Sequence, residues 1–154
     1  MTLDSFRCLS VILRRLWQVN LPMIFAKGEF QMRGIAHYFM LAAVVCVTLG
    51  MIWGMQMAAS ENHAMRSAHA HLNLVGWVTM AIFAVYYHLV PEAGARPLAR
   101  IHLGVAVVGV VLMVPGIAMA NSGGSPGVAI AGSLVSLASM LIFLATVVIQ
   151  GRQR

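Results

Sequence analysis

The chain has 154 residues, of which 60% are hydrophobic and 9% charged, with a mean hydropathy of +0.86. That mix lies far outside the composition of a water-soluble domain and marks an integral membrane protein. The formal charge of +6 comes with no basic-aromatic surface pattern, so it matches anionic lipid headgroups and not nucleic acid.

At the N-terminus, Phe6, Leu9, Leu13, Leu16 and Trp17 recur at helical spacing, with Arg7, Arg14 and Arg15 among them. This predicts an amphipathic helix lying in the membrane interface within a segment 1–33. A cleaved signal peptide fits less well, because the arginines fall inside the apolar run and no small-residue cleavage site follows. Cys8 belongs to this segment and Cys46 to the first span, so no disulfide is implied, and Cys46 reads as a small packing residue.

Four apolar segments of the ~20 residues that a bilayer core requires follow at 34–57, 69–91, 98–120 and 127–150. The fold class is thus an all-α membrane protein, a four-helix transmembrane domain over 34–150 with a tail at 151–154. The breaks carry turn chemistry: "ASENHAMRS", then "PEAGARPLA" with two prolines, then "NSGGSPG". Loops this short predict antiparallel neighbours.

Lys and Arg in short flanking stretches favour the cytoplasmic side. Arg7, Arg14, Arg15, Lys27 and Arg33 precede the first span, Arg96 and Arg100 flank the second loop, and Arg152 and Arg154 end the chain. The first loop has only Arg66 and the third has none. Both termini are therefore expected in the cytoplasm, in a multi-pass protein of the bacterial inner membrane.

This orientation sets the histidines by depth. His63, His69 and His71 fall at the outer face, whereas His37, His88 and His102 fall toward the inner one. From His69 to His88 is 19 residues, about 28 Å at the ~1.5 Å rise of a helix, so one metal cannot serve both groups. His37, His88 and His102 read as hydrogen-bonded bundle or interfacial residues, and His63 as a loop residue. His69 and His71 differ, because two imidazoles in one turn of an apolar span are costly unless used. Residues i and i+2 point about 200° apart at ~100° per residue, so the pair cannot chelate one small ion. A zinc enzyme is disfavoured, since the i, i+4 histidine pair and its glutamate are missing. Two rings pointing opposite ways suit haem iron, which takes axial imidazoles and is buried by apolar helices.

The stretch "HAHLNLVGWVTMAIFAVYYHLVP" resembles the tenth helix of the catalytic subunit of haem–copper oxidases. His69-Ala70-His71 matches its opening, His88 and Pro91 match its close, and Gly76 falls near a family glycine. In that family the first histidine ligates a high-spin haem and the second a low-spin haem. The family subunit has twelve helices in three four-helix arcs, so the resemblance implies one arc standing alone and a homotrimer that rebuilds the ring. No paired His-His stands on the third span, which has only His102, and no His-Pro-Glu-x-x-Tyr occurs. Copper ligands and the cross-linked tyrosine are thereby missing, and oxygen reduction is not expected.

The leading expectation is a haem b protein for electron transfer, with unknown electron donor and acceptor, its iron held by His69 and His71 and a propionate paired with Arg66. In a trimer, each interface would receive His69 from one protomer and His71 from the next, a bis-imidazole set closed to oxygen and carbon monoxide. The rival follows the oxidase more literally, with each histidine on a different haem and one iron left high-spin. Arg66 reads equally well as a solvated loop residue. Small residues on the fourth span, Ala129, Gly132, Ser133, Ser136 and Ser139, are expected to favour self-association. Two further readings stand: copper handling by Met51, Met55, Met57, His63 and Met65, because thioethers suit Cu(I), and a cofactor-free accessory subunit.

Overall fold

The computed structural model describes residues 31–152. The expected interfacial helix with Cys8, and Arg154 in the tail, lie outside the described residues. Among those described, four helices are long and apolar enough to cross a membrane: α1 (Ile35–Ser60), α2 (Arg66–Leu89), α3 (Pro97–Asn121) and α4 (Gly127–Gly151). The described residues form no strand. The protein is therefore an all-α, multi-pass membrane protein, with each helix starting and stopping within three residues of its expected span.

Local chemistry sets the boundaries. Glu61 ends α1 in the left-handed conformation at φ 52°, and the Asn62 side chain accepts from the Ala64 N–H at 3.0 Å to turn the chain into α2. Val90 and Arg96 each precede a proline and take non-helical backbone, with a single helical turn, Pro91–Gly94, between them. Pro97 then occupies the first turn of α3, where its missing N–H costs nothing. The third turn uses Gly123 at φ 85°, after which the Gly124 N–H returns to the Met119 carbonyl at 2.9 Å. Within the spans, hydroxyls satisfy themselves on the carbonyl one turn back, as Thr48 does on Val44 at 2.8 Å and Ser133 on Ala129 at 2.9 Å.

The helices pack mainly in chain order, α1 on α2, α2 on α3 and α3 on α4, while α1 and α4 are not packing partners. Small residues bring the backbones together, as membrane helices require when lipid is as apolar as the side chains. At the α3–α4 contact a Cβ on Gly109 would come within 2.6 Å of the Ser136 hydroxyl. A Cβ on Gly116 would meet the Ala129 backbone, and one on Gly132 the Met113 backbone. This corrects one expectation. Ala129, Gly132, Ser136 and Ser139 are taken up by packing within the chain, chiefly on α3, and only Ser133 of that set is exposed.

One feature of α2 had no counterpart in the expected elements. Residues Leu72–Thr79 form a π-helix between the α-helical stretches Arg66–His71 and Met80–Leu89. The Thr79 hydroxyl follows the wider ladder, donating to the Leu74 carbonyl five residues back at 2.8 Å. Such turns are rare and concentrate at functional positions.

Candidate functional site

The N-terminal end of α2 fits against a pair of glycines on α1. Gly50 and Gly54 stand one turn apart, and so do His69 and Asn73 opposite them. A Cβ on Gly50 would lie 2.6 Å from the Asn73 amide oxygen, and one on Gly54 would lie 3.2 Å from His69 Cε1. The two glycines are slots that admit the amide and the imidazole. Trp53 stands edge-on to His69, ring centroids 6.4 Å apart. The Asn73 amide donates to the His69 carbonyl at 2.9 Å and lies 3.4 Å from Nε2. His69 Nδ1 is buried and has no protein partner.

His71, two residues on in α-helical backbone, points across the helix axis from His69. Its Nδ1 lies 2.8 Å from the Ser67 carbonyl. A carbonyl only accepts, so the hydrogen sits on Nδ1 and Nε2 keeps its lone pair. Arg66, at the first residue of α2, is exposed on an open depression shared with His63, Ser67, Ala70 and Asn121. A lateral groove of about 600 Å³ runs between α1 and α3 over α2, walled by Val45, Leu49, Ile52, Val111 and Pro115 and reaching Trp53 beside His69.

The other end of the bundle holds a second constellation. Here the backbones of α2 and α3 stand apart, and Phe39, Phe83, Tyr87 and Phe143 fill the gap around His102, which is 0% exposed. His102 Nδ1 lies 2.9 Å from the Tyr87 hydroxyl and Nε2 lies 3.1 Å from the Ser139 hydroxyl. The Thr146 hydroxyl stands close to Tyr87 on its other side and donates to the Ile142 carbonyl at 2.9 Å. The expectation that His102 pairs across helices holds, with both ring nitrogens used. Its partners were not anticipated. Tyr87 lies on α2 and Ser139 on α4, and only the rotation of the three helices brings them together.

The remaining candidates stay separate. His37 is exposed beside Tyr38, and His63 bonds the Glu61 carbonyl at 3.0 Å in the first loop. Of the methionines near the first loop, Met51 and Met55 are each 64% exposed whereas Met57 is 8% exposed and points into the bundle, so these three do not converge. Among the described residues no three His, Cys, Asp or Glu gather as a metal ion would need. Cys46 is half-buried against Gly76, the packing role expected of it.

Sequence reasoning missed Asn73, Trp53 and the Gly50/Gly54 pair. A signal for them was present: "GMIWG" carries two glycines four residues apart, the spacing of close helix contact, and Asn73 follows His69 by one turn. Comparison with family models, with curated proteins and with solved structures finds no match for this chain.

Proposed function

We propose that this protein is a membrane-embedded haem b protein that transfers electrons, with His69 and His71 as axial ligands and Arg66 beside a propionate. The observation that carries the reading is the state of the two rings. His71 already donates Nδ1–H to a backbone carbonyl and presents Nε2, the arrangement in which a metal-ligating imidazole is normally held. His69 is half-buried, and its Nδ1 is a buried ring nitrogen that nothing in the chain satisfies, a cost of about 1–3 kcal/mol for an ordinary polar group. The groove walls beside Trp53 are apolar, as the surround of a macrocycle must be. A haem held by these two residues would supply one-electron transfer. The chain's own residues orient the rings: Ser67 fixes the tautomer of His71, and Gly54 and Trp53 hold the plane of His69.

The two rings lie on different sides of α2, so the site is completed by a second copy, with His69 of one protomer and His71 of the next, in a closed trimer. The outward face of α4, with Ile130, Leu134, Leu137, Leu141 and Leu144 all exposed at alternating four- and three-residue steps, is available to lipid or to a second copy. The arginine distribution supports a placement with both termini in the cytoplasm, as in a multi-pass protein of a bacterial inner membrane.

Two measurements test this reading. Purified protein should show the reduced-minus-oxidised spectrum of a low-spin b-type haem, one per protomer, and no carbon monoxide shift; a colourless preparation from haem-replete cells would sink it. Reporter fusions at residue 62 and at the C-terminus should report opposite sides of the membrane, and same-side signals would remove the outer placement of the histidines.

A further inference from the structure

Thr146, Tyr87, His102 and Ser139 form one chain of contacts across α2, α3 and α4, and all four are buried. Each member both donates and accepts, so the chain has two complete orders. In one, Thr146 donates to Tyr87, Tyr87 to His102 Nδ1, and His102 Nε2–H to Ser139. In the other, Ser139 donates to Nε2, Nδ1–H to Tyr87, Tyr87 to Thr146, and Thr146 to the Ile142 carbonyl, 2.9 Å away. Neither order leaves a buried charge; the second uses every donor within the protein, and the first leaves only the Ser139 O–H to be taken up at the end of the chain.

The Ser139 end opens on a cavity. Thr79, Phe83, Ala106, Ser136 and Ser139 line a space of about 220 Å³, and the Ser136 hydroxyl is buried with no protein partner. At the ~30 Å³ that a water takes in the liquid, several waters fit, and the hydroxyls give them partners in an otherwise apolar wall. Ser139 is twelve residues from Gly151, about 18 Å at ~1.5 Å per residue, which puts this cavity near the middle of the span. Tyr87 and Thr146 lie close to the ends of α2 and α4.

We propose that water held in this cavity and the Thr146–Tyr87–His102–Ser139 chain together form a proton relay between mid-membrane and the end of the bundle where α2 and α4 finish. Thr146 takes up one proton and passes its own to Tyr87; Tyr87 passes its own to Nδ1; Nε2 gives its hydrogen to Ser139, whose own leaves to the cavity water. One proton enters and one leaves, no electron moves, and the chain ends in its second order. The relay rests on these residues alone and holds whether or not the protein carries haem.

The test is nitrogen NMR on histidine-labelled protein in lipid nanodiscs, with the His102 signals identified by their loss in His102→Phe. Wild type should show magnetisation transfer from water to the His102 ring and two ring nitrogens averaged by exchange between the two orders. Ala106→Leu, which puts a branched side chain into the cavity, should lose most of the water transfer. Tyr87→Phe keeps the ring packing but removes the Nδ1 partner, and should freeze His102 in one tautomer. A single fixed tautomer in wild type, or water transfer unaffected by Ala106→Leu, overturns the relay.

Discussion

Replacing either His69 or His71 with alanine should remove the low-spin haem spectrum from the whole population. In the proposed trimer each interface would take one ring from each of two protomers, so either substitution would strip a ligand from every site. The loss should exceed the ~10–100-fold that removal of an outer-shell partner costs in metal affinity. Haem still retained should be five-coordinate and bind carbon monoxide. The same spectrum before and after carbon monoxide, with the haem-to-protein ratio, reads both effects. If a full low-spin spectrum survives either substitution, the two histidines serve separate haems. The structure adds a reason to expect unequal phenotypes. His69 is packed against Trp53 and Gly54, so its removal also leaves a void between α1 and α2, whereas His71 touches the Ser67 carbonyl of its own helix. Thermal stability should fall more for His69→Ala than for His71→Ala.

The second large effect concerns the α3–α4 contact. Gly132→Ala should destabilise the protein by about 1–3 kcal/mol and Gly132→Leu by more, as forced overpacking does, because a Cβ there would sit against the Met113 backbone. A backbone cannot rotate aside as a long side chain can. Gly104, on the same pair of helices, has nothing within 4 Å of the place a methyl would take, so Gly104→Ala should stay within about ±0.5 kcal/mol. Thermal unfolding in detergent, followed by circular dichroism, separates the two positions. Equal behaviour of Gly132→Ala and Gly104→Ala would mean that α3 and α4 do not meet through these glycines.

These two expectations show which parts of the protein its sequence discloses. The spans are legible because four long apolar runs separated by Pro, Gly and Asn leave no other way to satisfy the backbone in lipid. The candidate ligands are legible because an imidazole pair in an apolar run is conspicuous. Helix rotation is not. Whether Gly132 turns to its own chain or to a second copy depends on which face of α4 meets α3, and an all-apolar helix carries little contrast between faces. The same ambiguity hid the meeting of Tyr87, His102 and Ser139. The π-helical stretch was illegible for a different cause: "LNLVGWVT" has neither a proline nor a break in hydropathy to announce it.

That stretch acts as a phase shifter within α2. His69 and Tyr87 are eighteen residues apart, five turns at ~3.6 residues per turn, so an unbroken α-helix would line them up along one edge. A π turn takes up the equivalent of one extra residue, displacing everything beyond it by about 100°. The two ends of a single rod thereby acquire different headings: His69 looks to Gly54 and Trp53 on α1, while Tyr87 reaches His102 on α3 and Thr146 on α4. The imidazole at one end and the polar chain at the other can thus be aimed separately, without a loop or hinge between them.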